Sequence, residues 1–248
     1  MNAVRVFRLV MLAAVCSAAP GRAQTPAEDF LPSVGCMIEP SVRIEVSSPV
    51  EGVLDKRPFK LGQSVKKGQL LFSLRSDVEK ASVELANIRA EFALRHYQRN
   101  DNLYQDELIS VHERDEFQTD YQVALKELEQ AKAILGLRSV SSPIDGVVVD
   151  YFVESGEFVM TEPVMALAAL DPLKVEVVMP YSSLGSVSEK DVLQVFPVEP
   201  VSGKYSAKVT LIDPVIDAAS GTYRIRALID NPQRRLPAGV ECKVAVMK

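Results

Sequence analysis

The chain's two histidines, His96 and His112, are the first side chains to test for chemistry, because paired imidazoles are common metal ligands. They flank a turn near residue 107, and antiparallel pairing about that turn sets His112 opposite a residue near 102. The imidazoles are then more than a helical turn out of register, so no metal site is expected. Cys36 and Cys242 offer redox chemistry instead, each in a short strand-like run, Val34 to Ile38 and Val240 to Val244. If those strands are neighbours in one barrel, the thiols can form a disulfide; otherwise they are two buried free thiols. No His-Glu-x-x-His, Gly-x-Ser-x-Gly or phosphate-loop pattern occurs. No catalytic residue, metal or cofactor is therefore assigned, and the chain is not expected to be an enzyme.

Composition narrows the partners. The 248 residues are 47% apolar and 25% charged, which suits a globular chain of one large or several small domains. A formal net charge of −5, without a basic run, argues against a nucleic-acid partner. Trp is absent and aromatics are 6%, leaving few stacking platforms. Residues 1–23 have the grammar of a secretory signal peptide: Arg5 and Arg8, an apolar stretch from Val10 to Ala19, then small residues to Ala23. Cleavage there leaves Gln24 first, with 24–33 as an N-terminal segment of a soluble, exported chain in a compartment where disulfides persist. A rival reading is a lipid anchor at Cys16, although Ala13-Ala14-Val15 resembles a lipobox only loosely.

The elements that position any site come from an internal repeat. Ser47-Ser48-Pro49-Val50-Glu51-Gly52-Val53 is matched by Ser141-Ser142-Pro143-Ile144-Asp145-Gly146-Val147, an offset of 146 − 52 = 94 residues. The same offset aligns Gly62 with Gly156, Val65 with Val159 and Leu70-Leu71 with Val164-Met165. Each copy reads as strand, turn, strand. Between the copies, from about Ser76 to Leu137, the period changes to helical. Capping boxes at Ser76-Asp77-Val78-Glu79 and Ser110-Val111-His112-Glu113 open two helices. The first shows a seam of Val78, Ala81, Leu85, Ile88 and Phe92; the second, one of Phe117, Tyr121, Ala124, Leu128, Ala131 and Leu135, with Gly136 placed to stop it. Packed antiparallel, they predict an arm on the order of 40 Å long.

The two copies resemble the pseudo-symmetric halves of a biotinyl/lipoyl domain. A swinging-arm carrier joins its halves by a turn bearing a modified Lys, and no Met-Lys-Met or Asp-Lys-Ala triplet occurs here. With a helical hairpin in that place, the chain resembles the periplasmic adaptors, or membrane fusion proteins, of tripartite efflux pumps, the resistance-nodulation-division (RND) type foremost. Their hairpin tips carry an Arg, a Leu four residues later and a Ser seven further on, matched by Arg99, Leu103 and Ser110. The resemblance gives these three residues contact with the channel: Arg offers a planar fork, Leu an apolar knob and Ser a cap. Further on, Gly221-Thr222 before the Arg-containing strand to Ala227, Asn231-Pro232, and Pro237-Ala238-Gly239 resemble the same family's barrel.

The expected fold is mixed α and β and elongated: a lipoyl-like β-sandwich interrupted by an antiparallel coiled-coil hairpin, followed by an antiparallel β-barrel. Boundaries are set at 34–44 for the first barrel strand, 45–75 and 139–171 for the sandwich halves, 76–138 for the hairpin and 172–248 for the barrel. Tyr181 to Val187 is expected as a short helix. What the resemblance implies is a periplasmic, nonenzymatic adaptor. It links an inner-membrane transporter, of RND or ABC type, to an outer-membrane channel as a homo-oligomeric ring. Two residues follow Val246, so the reading puts the transporter grip mainly on the barrel. The alternatives are a biotinyl/lipoyl-type carrier subunit and a periplasmic scaffold without a transport role.

Overall fold

A computed structural model describes residues 30–247; the leader, Cys16 and residues 24–29 lie outside the described part. Two long strands organise it. β1 (Gly35–Ser47) pairs antiparallel with β8 (Pro163–Pro180) along nearly its whole length, from Gly35↔Val178 to Ser47↔Pro163. One half of this ribbon belongs to the barrel and the other to the sandwich. They meet at an irregularity in register between Pro40 and Val42. The buried Asn231 pins this junction. Its N–H donates to Asp171 Oδ1 at 2.8 Å and its amide donates to the carbonyls of Leu170 and Leu236, while its own oxygen accepts from the Leu236 N–H. Every polar atom of the side chain is used, which is what permits its burial.

The barrel closes through β12 (Val240–Val246), β9 (Val192–Pro197), β10 (Tyr205–Ile212) and β11 (Thr222–Ile229), in the order β1-β12-β9-β10-β11-β8 with β8 returning to β1. Alternation drives it: Leu173, Val175, Val177 and Met179 of β8 are fully buried against Ile225 and Val244, while Lys174 and Glu176 face outward in an ion-pair ladder with Glu39 and Arg224. β9 is a strand that none of the sequence motifs above marks. The expected helix at 181–187 is a single 3-10 turn, Tyr181–Ser183; the run of serines around Gly185, which has φ +89°, favours turns over helix. β1 and β12 share only the register pairs Met37↔Glu241 and Ile38↔Val240. Beside them Cys36 and Cys242 are disulfide-bonded, their Cα atoms 4.9 Å apart across 206 residues of sequence.

The sandwich is built from β2 (Gly52–Lys56), β3 (Ser64–Val65), β4 (Leu70–Leu74), β5 (Ser139–Ser141), β6 (Gly146–Tyr151) and β7 (Phe158–Val159), with the near ends of β1 and β8. Its halves exchange equivalent bonds. Gly52 pairs with Val159 and Val65 with Gly146; the Gly62 N–H donates to the Val148 carbonyl and the Gly156 N–H to the Leu54 carbonyl, both at 2.8 Å. Each member of one bond lies 94 residues from its counterpart in the other. The repeat is therefore a two-fold swap of turns around a core that includes Leu54, Phe72, Val148 and Leu167.

The arm consists of α1 (Asp77–Gln105) and α2 (Val111–Gly136). Its packing corrects the predicted seam of α1. Ala86 and Ala90 are buried, with Val83 and Ala93 beside them, against Ala124, Leu128 and Ala131 of α2. Val78, Leu85, Ile88 and Phe92 are 52–75% exposed and lie about 140° around the helix from that seam. Small residues face α2 because its Tyr121 and Leu128 already fill the space; Tyr97 then stacks on Tyr121 with ring centroids 6.2 Å apart. The first capping box is also corrected. Ser76 is the N-cap but makes no side-chain cap bond, and Glu79 turns to Arg138 at 2.7 Å instead of closing the box. The second box forms as predicted, with Glu113 Oε2 accepting from the Ser110 N–H at 2.9 Å. Gly136 does not stop α2 in a left-handed turn; Leu137 caps it in ordinary helical conformation.

Two outcomes follow for stability. Replacing Cys36 or Cys242 by Ser removes the link across a two-pair seam and should cost about 2–4 kcal/mol, read as a lowered thermal midpoint that reductant reproduces in the unaltered chain. For Glu113, the Ser110 N–H and then its hydroxyl hold the carboxylate below the ordinary range, with a smaller contribution from His112. A folded-state pKa below the unfolded one gives stability that is complete above the unfolded value and is lost as pH falls through the folded value. The start of α2 should therefore fray only in acid below the range where a free Glu titrates. Glu113→Ala should show the same several-fold faster amide exchange at 111–114 already at neutral pH.

Candidate functional site at the arm tip and the barrel end

The arm ends in a tight reversal. At the close of α1 the Glu107 N–H donates to the Tyr104 carbonyl and the Leu108 N–H to that of Leu103, a Schellman arrangement with Glu107 at φ 61°. A non-glycine in this region is strained, so the surrounding bonds must hold it. They include a link between the helices: Arg114 Nε donates to Asp101 Oδ1 at 2.9 Å, its guanidinium lying 5.5 Å from the centre of the Tyr104 ring. That hydrogen bond, above all, raises the Arg114 pKa further. Arg114 and Asp101 were not singled out in the sequence. Their signal is an acid near the end of one helix and an Arg in the first turn of the next.

The three tip residues fall at the same end of the arm in different roles. Arg99 is exposed on the outer side of α1, its Nε donating to the Arg95 carbonyl at 3.3 Å. It borders a shallow depression of about 500 Å3 with Phe92, Arg95, Gln98 and Asn102. Leu103 is 38% exposed, and Leu108 and Val111 beyond it are exposed apolar residues. Ser110 spends its hydroxyl on the cap, accepting from the Glu113 N–H and donating to its carboxylate at 2.8 Å. Chemically the tip offers a cation, apolar knobs and a rigid turn, which suits docking against another helix end. His96 packs against Phe92 and Phe117, ring centroids 4.3 and 6.3 Å away. Among the described residues no group of three or more His, Cys, Asp or Glu could hold a metal ion.

A second exposed apolar group lies at the far end of the barrel. β8 leaves the sandwich and ends at Pro180, where it pairs with Thr222; Tyr181 follows, and its N–H donates to the Gly221 carbonyl. Val34 enters beside Val178, and the loop after β10 carries Val215 to the same end. Val34, Tyr181, Leu184 and Val215 are all more than half exposed. Among the described residues no helix is long and apolar enough to cross a membrane.

Known proteins share this plan. Residues 42–168 match the family described as RND MFP, barrel-sandwich hybrid domain, and residues 175–248 match the CusB-like, beta-barrel domain. The multidrug efflux pump subunit AcrA of Escherichia coli K12 is 30% identical over 234 residues, covering 79% of this chain and 57% of AcrA. The multidrug resistance protein MexA of Pseudomonas aeruginosa is 27% identical over 215 residues, covering 79% of this chain and 55% of MexA. The chain spans about half the length of the curated relatives it matches. Among solved structures, a MacA-MexA chimera containing the P. aeruginosa MexA α-hairpin has the same fold, with a TM-score of 0.75 at 24% identity over 85% of this chain and 78% of the chimera. With one family match covering over half of the residues and a second taking up most of the rest, the chain belongs to the RND membrane fusion protein family of efflux-pump adaptors.

Proposed function

We propose that the chain is a nonenzymatic periplasmic adaptor that links an inner-membrane efflux transporter, of RND or ABC type, to an outer-membrane channel. The observation that carries this reading is the placement of two exposed apolar ends on one continuous frame. The arm tip with Arg99, Leu103 and Ser110 is one; the barrel end with Val34, Tyr181, Leu184 and Val215 is the other. The tip meets the channel. The barrel end meets the transporter, and the work is done by geometry and interface energy.

The outer stripe of α1 supports a ring of several copies. Val78, Leu85, Ile88 and Phe92 form an exposed apolar row on the face of α1 turned away from the seam, and Val78 lines a depression shared with Ile134 of α2, which is 48% exposed. A heterologous contact between neighbouring arms covers such a row and closes on itself around an axis. Rings also place several tips at one radius.

Two experiments bear on this reading. In cells supplied with the cognate transporter and channel, Arg99→Ala with Leu103→Ala should abolish export and channel crosslinking while the purified chain keeps its thermal midpoint, because exposed residues contribute little to stability. Unchanged export and crosslinking would remove the tip assignment. Leu85→Glu with Phe92→Glu should leave a folded chain that no longer self-associates in sedimentation velocity at concentrations where the unaltered chain does. Equal self-association of the two would remove the stripe from the ring contact.

A further inference from the structure

The root of the arm holds a cluster that the sandwich repeat does not require. Arg138, just beyond α2, donates from one nitrogen to Glu79 Oε1 at 2.7 Å and from another to the Glu51 carbonyl at 2.6 Å. Glu79 lies in the first turn of α1, and Glu51 in the turn of the first sandwich half. One planar fork, carried two residues beyond the end of α2, thus bonds the first turn of α1 and the body on which the arm stands. The pair is mostly covered, its side chains 23% and 14% exposed.

Two features show what the chain gives up for this arrangement. Glu79 stands where it could complete a capping box with Ser76, and Ser76 makes no cap bond while Glu79 serves Arg138. A local rule is broken in favour of a tertiary contact. The second feature is an asymmetry in the repeat. Gly146 is small because a Cβ would stand 2.6 Å from the Ala168 carbonyl oxygen; at its counterpart Gly52, a Cβ would stand 2.7 Å from Arg138 NH1. One half of the repeat needs its glycine for the neighbouring strand, and the other needs it for this guanidinium. Glu79 is also held below the ordinary carboxylate range, by its own N–H first and by Arg138 in addition.

We propose that Arg138 is a positioning residue that fixes the direction of the helical arm on the sandwich by tying, from the segment that follows α2, the first turn of α1 and the Glu51–Gly52 turn to one guanidinium. Without it the arm stands on its two strand-to-helix crossings, tied by such backbone bonds as Leu74 N–H to the Arg138 carbonyl at 2.8 Å. A small change of angle at the root becomes a large displacement at the tip, 29 helical residues away. The consequence for pump coupling rests on the adaptor reading; the geometry itself belongs to the isolated chain and is tested there.

The test is pulsed electron–electron distance measurement on the purified chain. Spin labels go at Asn102→Cys with either Glu162→Cys or Lys190→Cys, in a Cys16→Ser background with the native disulfide oxidised. The unaltered root should give one narrow distribution for each pair. Arg138→Ala should raise the population outside the main peak on the order of tenfold, since two charge-assisted bonds are lost. Gly52→Ala keeps both charged partners and crowds the guanidinium first, at 2.7 Å from NH1, and Leu74 less closely, at 3.3 Å, so it should move the distribution the same way by less. Arg138→Lys, a point charge without the fork, should rescue part of the width. Superimposable distributions for Arg138→Ala and the unaltered chain would overturn the proposal. If Arg138→Ala fails to fold, Gly52→Ala decides alone, and an unchanged width there overturns it equally. Export assays play no part in this outcome, so a failed adaptor reading and a failed clasp are told apart.

Discussion

Everything else in the molecule hangs on the pairing of β1 with β8. Neither strand belongs to one body: the first residues of β1 and the last of β8 complete the barrel, and their other ends cover the sandwich. Because the hydrogen bonds run through the junction, barrel and sandwich cannot rotate freely against each other as beads on a linker would. The irregularity at Pro40/Val42 re-aims the ribbon there without cutting it, and the bonds of Asn231 to Asp171 and Leu170 hold the bend. A side chain just beyond β11, the strand next to β8, thereby fixes the geometry between two cores.

The sandwich makes the second decision by symmetry. Two copies of a turn swap equivalent bonds around a shared core, leaving one connection between the halves unconstrained by the swap itself. That connection holds α1 and α2. Since β4 runs into α1 and α2 runs out to β5, and β4 pairs with β5, the strand pair sets the spacing of the helices at their root. At the other end Asp101 and Arg114 tie the seam again. Between them the seam is narrow and built largely of alanines, with one exposed cross-helix ion pair, Arg89 to Glu127 at 3.9 Å.

Much of this was legible in the sequence where the signal was local. The repeat is readable because Ser-Ser-Pro-x-acid-Gly encodes its own turn: Ser48 and Ser142 each bond the carbonyl two residues on. The helix extents are readable from the change of period, and the Ser110 box from its spacing. What was illegible depended on competition between partners. Hydrophobicity ranks Leu85 and Phe92 above Ala86 and Ala90, yet the alanines are buried, since close approach of two backbones selects for size and not for apolar area. Glu79 had a good local partner in Ser76 and took a distant one, Arg138, which only the folded root brings near. β9 was missed although turn residues flank it, because Val192-Leu193-Gln194-Val195-Phe196-Pro197 is short and does not alternate cleanly between apolar and polar. At the tip, the positions of Arg99, Leu103 and Ser110 follow from the helix count, but the Arg114–Asp101 link that steadies them does not.

The same competition leaves the arm with an exposed apolar row. Fully burying one large aliphatic or aromatic side chain is worth about 1.5–3 kcal/mol, and α1 leaves four such side chains largely in water while it packs on alanine. A hairpin selected only for its own stability would turn the larger residues inward. In the ring proposed above, turning them outward trades strength in the seam for contact between neighbouring arms. Buried area does not convert directly into affinity, because ordering long arms costs entropy. That cost is smallest when the arms already point the right way. In that ring an outward stripe would serve best on an arm whose direction is fixed before its neighbours arrive, which joins the proposed contact of the exposed row on α1 to the proposed clasp at its root.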